Sequence, residues 1–121
     1  MKTILVVDDE PVLREILRDI LEDAGFKILE AEGGTKAFAL IQKEKVDCLI
    51  SDIRMPFGSG IELIRNLSEW NGNKPKIILM TAYGDIGWEE AKRLNVSKII
   101  SKPFEPASIV GEVQAILMGK T

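Results

Sequence analysis

Residues 3–11 read TILVVDDEP, a short apolar run that ends in three consecutive acids and a proline. The unbroken apolar run at residues 4–7 predicts a strand covered on both faces, which is typical of parallel sheets. Neighbouring carboxylates raise the cost of ionising one another. Asp8 and Asp9 therefore predict a source of positive charge where this strand ends.

Apolar runs of strand length alternate with longer segments of helical period along the whole chain. This alternation predicts βαβ units and an α/β fold built on a five-stranded parallel sheet. The expected strands are residues 3–8, 27–31, 47–52, 76–81 and 97–101. The expected helices are one that carries the apolar stripe Leu13, Ile16, Leu17, Ile20 and Leu21 and stops near Gly25, followed by 34–43, 60–70, 85–94 and 106–118.

Composition limits the class of protein. A length of 121 residues with 45% hydrophobic and 29% charged residues is ordinary for a single globular domain over residues 1–121. The net charge is −3 and no block of basic residues is present, which argues against direct binding to nucleic acid. No apolar stretch approaches the ~20 residues of a membrane span, so we expect a cytoplasmic protein that does not enter a membrane.

Metal chemistry is restricted by what the chain lacks. Cys48 is the only cysteine and there is no histidine, which excludes an intrachain disulfide and sites built from several thiolates or imidazoles. Cys48 itself lies within an apolar strand and is expected to be a small buried hydrophobe. Any metal must therefore be held by oxygen atoms.

The carboxyl ends of the predicted strands carry the candidate functional residues. In an open parallel α/β sheet, ligands bind at this edge. The residues found there are Asp8 and Asp9 after the first strand, Asp52 at the end of the third, Thr81 at the end of the fourth and Lys102 after the fifth. Carboxylates with free coordination positions suit Mg²⁺, or Mn²⁺ in its place. The metal would supply the positive charge that the adjacent acids require.

Asp52 is the candidate nucleophile, because a carboxylate can attack phosphorus and form an aspartyl phosphate. Lys102 and the Thr81 hydroxyl would contact the phosphoryl oxygens. Each residue alone also has a structural explanation: Asp8 and Asp9 as strand-end turn residues, Asp52 in an Asx turn, Thr81 as a helix N-cap, and Lys102 in a structural ion pair. The combination favours the functional reading.

Four blocks of sequence resemble the receiver domains of two-component response regulators: LVVDDEP at 5–11, LISDIRMP at 49–56 followed by Gly60, MTAYG at 80–84 and SKPF at 101–104. The resemblance covers the chain from Lys2 to the last helix. It implies a flavodoxin-like sheet of order 2-1-3-4-5 and a cis peptide bond before Pro103. It also implies Mg²⁺ at Asp8, Asp9, Asp52 and the backbone carbonyl of Arg54.

The same resemblance implies how such a protein works. Asp52 would be phosphorylated by a sensor histidine kinase or a phosphotransfer protein, with Thr81 and Lys102 as the other catalytic residues. The surface of the fourth helix, fifth strand and fifth helix would then change and signal to an output domain or protein, or form a homodimer. Such a domain would catalyse only its own phosphorylation and dephosphorylation.

Two features depart from the family pattern. Ile99 occupies the position, three residues before the lysine, where these domains usually carry an aromatic residue. The interval from Thr81 to Lys102 is also shorter, and LNVSK at 94–98 replaces the usual turn before the fifth strand. The aromatic-rotation account of switching therefore does not transfer, and we expect the fourth helix to sit differently.

Three other functions are compatible with parts of the pattern. A phosphatase similar to the haloacid dehalogenases would need an acid two residues after Asp52, where Arg54 stands. A flavodoxin-like FMN carrier would need a phosphate loop after the first strand, where acids stand. A binding module of the same fold without phosphoryl chemistry would not need the acids, Thr81 and Lys102. The chain ends at MGKT, residues 118–121, which fits a stand-alone regulator and the receiver part of a longer protein equally.

Overall fold

A computed structural model describes residues 1–82 and 88–118. Within these residues strands and helices alternate, with the following bounds: β1 (Thr3–Val7), α1 (Pro11–Asp23), β2 (Lys27–Ala31), α2 (Gly34–Lys43), β3 (Cys48–Asp52), α3 (Gly60–Glu69), β4 (Lys76–Thr81), α4 (Trp88–Arg93), β5 (Lys98–Ser101) and α5 (Pro106–Leu117). In the described ranges, no helix is both long enough and apolar enough to span a bilayer.

The strands form one parallel sheet of order β2-β1-β3-β4-β5. Ile4 of β1 lies opposite Ile28 of β2 on one side and Cys48 of β3 on the other. This is the flavodoxin-like order, and it confirms the predicted fold class. The strand order reverses beside β1, so β1 and β3 are neighbours and their carboxyl ends meet at the same place.

The core has two layers because successive side chains of a strand point to opposite faces of the sheet. Leu5 and Val7 pack on the face that α2 and α3 cover, whereas Ile4 and Val6 pack on the face that α1 and α5 cover. The side chain of Cys48 is fully buried in the second layer. Strands buried on both faces explain the continuous apolar runs in the sequence.

The first helix buries a narrower stripe than its sequence predicts. Leu17 and Leu21 are fully buried, and Leu13 and Ile20 are partly buried against the same cluster. Ile16 is 40% exposed, so its expected place in the buried stripe is wrong. Only the arc of α1 centred on Leu17 faces the sheet, and Ile16 lies at its outer edge. The helix ends before Gly25, whose φ of +96° is the left-handed conformation that glycine adopts readily at this position.

Most predicted bounds agree with the structure to within one residue. The largest difference concerns the fourth helix, predicted over 85–94: α4 covers Trp88–Arg93, and residues 85–87 lie outside the described part of the chain. The residue after Leu94, Asn95, has a φ of +59°. A left-handed residue cannot continue a right-handed helix, which explains the stop there.

Candidate functional site

Asp8 follows β1 and is fully buried at the carboxyl edge of the sheet. Its Oδ1 accepts a 2.8 Å hydrogen bond from the backbone N–H of Glu10. Its Oδ2 is buried and accepts no hydrogen bond from the described residues; Lys102 Nζ lies 3.6 Å from it. Burial raises the pKa of Asp8, and the charges of Asp52 and Glu10 add to this, against the Glu10 hydrogen bond and Lys102. A cation bound beside this buried oxygen would therefore stabilise the charged form of Asp8.

Arg14 supports this corner of the site from α1. Its guanidinium donates a 2.7 Å hydrogen bond to the backbone carbonyl of Asp8 and reaches Glu30 of β2 at 3.4 Å. The contact holds the chain just after β1 between α1 and β2. Sequence reasoning missed Arg14, for which the available signal was a basic residue in the first turn of the helix that follows the acids.

Asp52 is the last residue of β3 and is 8% exposed. Its Oδ1 accepts a 2.7 Å hydrogen bond from the N–H of Ile53, and its Oδ2 accepts a 2.9 Å hydrogen bond from Lys102 Nζ. The start of α3 lies against the Asp52 backbone so closely that a Cβ on Gly60 would collide with the Asp52 carbonyl oxygen. The two hydrogen bonds, from Ile53 and Lys102, hold the carboxylate in place.

Lys102 reaches the acids from the turn after β5. Its backbone N–H donates a 2.7 Å hydrogen bond to the carbonyl of Thr81, and the peptide bond to Pro103 is cis, as the family resemblance implies. Burial lowers the pKa of Lys102, but the hydrogen bond to Asp52 and the charges of Asp52 and Asp8 outweigh it, so the pKa is raised. The side chain is therefore an ammonium at neutral pH.

Thr81 lies on β4, the strand next to the one that carries Asp52, and Arg54 lies in the loop after Asp52. Thr81 ends β4, is 1% exposed and pairs in register with Ser101 of β5. Arg54, two residues after Asp52, is exposed and lines an open cleft of about 680 Å³ together with Asp9. The structure thus brings Asp8, Asp9, Asp52 and Lys102 into one cluster. Thr81 is linked to it by its backbone hydrogen bond to Lys102, and Arg54 by the cleft that it shares with Asp9.

Asp8, Asp9 and Asp52 could hold a metal ion together. One carboxylate oxygen from each lies within 4.8 Å of those of the other two. Oxygen ligands of this kind and the buried Oδ2 of Asp8 without a hydrogen-bond partner fit a hard divalent cation such as Mg²⁺. The donor set excludes a soft metal, since the chain supplies neither imidazole nor a cysteine at this edge.

The loop between β3 and α3 is held by the start of α2. The N–H of Gly34 donates to the carbonyl of Gly58 at 2.8 Å, and the N–H of Thr35 donates to that of Phe57 at 3.3 Å. The helix N-terminus is therefore capped by carbonyls of this loop. This contact was not predicted from the sequence, although the adjacent glycines at 33–34 could have indicated a close approach of two backbone segments. At its other end the loop enters α3 through a capping box of Ser59 and Glu62, which the pattern S-x-x-E could have predicted.

Fold and site together describe an α/β protein whose candidate metal-binding and phosphoryl-binding residues lie at the carboxyl edge of a parallel sheet. Residues 4–114 match the family model of the response regulator receiver domain. The chain belongs to this family, the receiver domains of two-component systems, and is a signalling domain.

Known proteins of the family resemble the chain over nearly all of its length. The phosphate regulon transcriptional regulatory protein PhoB of Pseudomonas aeruginosa is 40% identical over 96% of the chain, which spans only 52% of PhoB. Sporulation initiation phosphotransferase F of Bacillus subtilis is 30% identical over 94% of the chain and 92% of its own length. The crystal structure of the chemotaxis response regulator CheY4 of Vibrio cholerae superposes with a TM-score of 0.84 at 27% identity, covering 96% of this chain and 98% of that one.

Proposed function

We propose that Asp52 accepts a phosphoryl group from a phosphohistidine of a sensor kinase or a phosphotransfer protein. An oxygen of its carboxylate forms the new bond to phosphorus while the bond from phosphorus to the imidazole nitrogen breaks. The electron pair of that bond stays on the imidazole, which takes up a proton. The observation that carries the proposal is the 2.9 Å hydrogen bond between Lys102 Nζ and Asp52 Oδ2 inside a cluster of three acids.

Each neighbouring residue has a role in this reaction. Lys102 neutralises Asp52 before the reaction and can pass its hydrogen bond to a phosphoryl oxygen afterwards. The hydroxyl of Thr81 is the second donor. Asp8, Asp9, Asp52 and the carbonyl of Arg54 would hold Mg²⁺ or Mn²⁺, which supplies positive charge to the phosphoryl oxygens. The same residues would serve when water later removes the phosphoryl group.

We propose that the signal leaves through α4, β5 and α5, towards an output domain or protein or a homodimer. Thr81 and Lys102 are joined by a backbone hydrogen bond of 2.7 Å, so a shift of either side chain towards a phosphoryl group acts on β5. Ile99 of β5 is partly buried opposite Leu79, and switching therefore proceeds without an aromatic rotation at this position. The domain would exchange between an inactive and an active arrangement of this surface. Shifting their ratio from about 1:99 to 99:1 requires phosphorylation to stabilise the active arrangement by roughly 5.5 kcal/mol relative to the inactive one.

We take residues 1–121 as one receiver domain. The test is the intact mass of this protein, measured after incubation with acetyl phosphate. We expect a gain of one phosphoryl group that requires Mg²⁺, is absent in Asp52→Asn and is retained in Asp23→Asn, an exposed acid of α1. If no gain occurs in a folded protein that binds Mg²⁺, the assay is repeated with a phosphorylated histidine protein. Failure with both donors would leave a binding module of the same fold.

A further inference from the structure

Lysines mark the amino edge of the sheet, opposite the acids. Four strands begin at or directly after one: Lys2 precedes β1, Lys27 opens β2, Lys76 opens β4 and Lys98 opens β5, whereas Lys45 lies three residues before β3. A strand of five residues is about 17 Å long. The two edges of the sheet therefore carry opposite charges at roughly that separation.

Four lysines at this edge border a single groove of about 340 Å³, namely Lys2, Lys45, Lys74 and Lys76. Lys74 Nζ donates to the carbonyl of Ser68 at 3.1 Å. In the described part of the chain the other three form no ion pair within 4.0 Å. The groove thus brings four ammonium groups together with one carboxylate, on a chain whose net charge is −3.

One acid, Asp47, lies among these lysines and leaves them in excess by three charges. Asp47 Oδ2 accepts a 2.8 Å hydrogen bond from the N–H of Thr3 and thereby ties β1 to the start of β3. The wall of the groove contributed by α5 is apolar, with Ile116 and Leu117 partly exposed. The groove therefore offers ammonium groups beside an aliphatic surface.

We propose that this groove binds an acidic peptide segment of a partner protein, with its carboxylates at the lysines and an aliphatic side chain against Ile116 and Leu117. Charge complementarity selects an anion, and the aliphatic wall selects a ligand with apolar side chains. A nucleic acid fits less well, because its dense phosphate charge meets a net acidic protein and gains nothing from the aliphatic wall.

The position of the groove predicts how this binding relates to signalling. The groove and Asp52 lie at opposite ends of the strands, so a segment bound here leaves the phosphorylation site open. We expect the affinity to be the same within about twofold with and without phosphorylation, since charges at that separation are largely screened at physiological salt. The partner would stay docked through both states of the domain.

The test uses ¹⁵N-labelled protein and a synthetic decapeptide of alternating glutamate and leucine, at low and at physiological ionic strength. We expect amide shifts at Lys45, Lys76 and Ile116 and an affinity that falls as salt is added. Lys45→Gln/Lys76→Gln should weaken binding about tenfold. The matched control is Lys36→Gln/Lys92→Gln, which removes the same charge from exposed lysines of α2 and α4 and should bind like wild type.

Several results would overturn the proposal. They are an absence of shifts, equal binding of the decapeptide with glutamine in place of glutamate, and equal weakening in the control variant. Stronger binding of a single-stranded oligonucleotide would assign the groove to nucleic acid. Shifts at the amino edge that depend on protein concentration alone would assign it to a second copy. Asp52→Asn should bind the peptide normally, so the outcome is independent of the phosphoryl chemistry.

Discussion

Lys102 Nζ donates a hydrogen bond of 2.9 Å to Asp52 Oδ2, joining the turn after β5 to the end of β3. The ammonium lies beside Asp8 and Asp52, which we propose as Mg²⁺ ligands. Lys102 and Mg²⁺ therefore compete to neutralise the same carboxylates. Lys102→Gln should therefore lower the stability of the Mg²⁺-free protein by about 1–3 kcal/mol and tighten Mg²⁺ binding. Phosphorylation of Asp52 should be lost.

Chemical denaturation in EDTA and over a series of Mg²⁺ concentrations measures both effects, because a ligand stabilises the folded state according to its affinity. Lys36→Gln, which removes an exposed lysine of α2, should change neither. Weaker Mg²⁺ binding by Lys102→Gln would contradict the competition.

Asp9 is the exposed member of the acid cluster. Without metal its charge repels Asp8 and Asp52, so Asp9→Asn should stabilise the Mg²⁺-free protein by about 0.5–1 kcal/mol. The same change removes a proposed ligand and should weaken Mg²⁺ binding at least several-fold. Urea denaturation with and without Mg²⁺ tests both statements, with Asp23→Asn as control. A variant less stable than wild type in both conditions would show that the repulsion is absent.

Gly33 lies where α2 meets the loop after β3. A Cβ there would be 2.3 Å from the carbonyl oxygen of Phe57, so Gly33→Ala must displace the loop. We expect a loss of about 1–3 kcal/mol in stability, together with weaker Mg²⁺ binding, since the loop also carries the Arg54 carbonyl.

Gly111→Ala is the matched control for this substitution. Gly111 lies inside α5, and a Cβ there meets no atom within 4 Å. This variant should be more stable than wild type by about 0.5–1 kcal/mol, because alanine is the better helix former. Thermal denaturation of both variants provides the comparison. A Gly33→Ala protein as stable as wild type would mean that the contact between α2 and the loop is not tight.

Burial raises the pKa of Cys48 to about 12, from an ordinary value of 9.0, because desolvation disfavours the thiolate. Between these values the unfolded chain loses its thiol proton and the folded chain keeps it, so the free energy of unfolding must fall as the pH rises. By pH 10.5 this contribution is about 2 kcal/mol.

Comparison with Cys48→Ala isolates the effect from that of other groups that titrate in alkali. The variant is expected to be less stable at neutral pH, since it loses buried volume. Its further loss of stability between pH 8 and 10.5 should be smaller than that of wild type by about 2 kcal/mol. Equal losses in urea denaturation at the two pH values would show that the thiol ionises in the folded state.

Local pattern was a good guide to the elements of this protein. The runs that form β1 and β3 are apolar throughout because both faces of the sheet are covered, and both were predicted to within one residue of their observed ends. Prediction was weaker where packing decides the outcome. Ile16 shares the apolar stripe of α1 in sequence but is 40% exposed. How wide an arc of a helix the sheet covers depends on how the two pack, and the helix sequence alone does not specify this.

The sequence by itself determined which residues end the strands: the acids Asp8, Asp9 and Asp52, and Lys102 after β5, follow from local order along the chain. Only the tertiary structure decided that Asp8 is buried while Asp9 is exposed, and that Lys102 lies 2.9 Å from Asp52 but 3.6 Å from Asp8. The groove of four lysines likewise exists only in the folded chain. These relationships depend on strand order and register, which arise from packing two helical layers on one sheet and therefore from contacts between residues far apart in sequence.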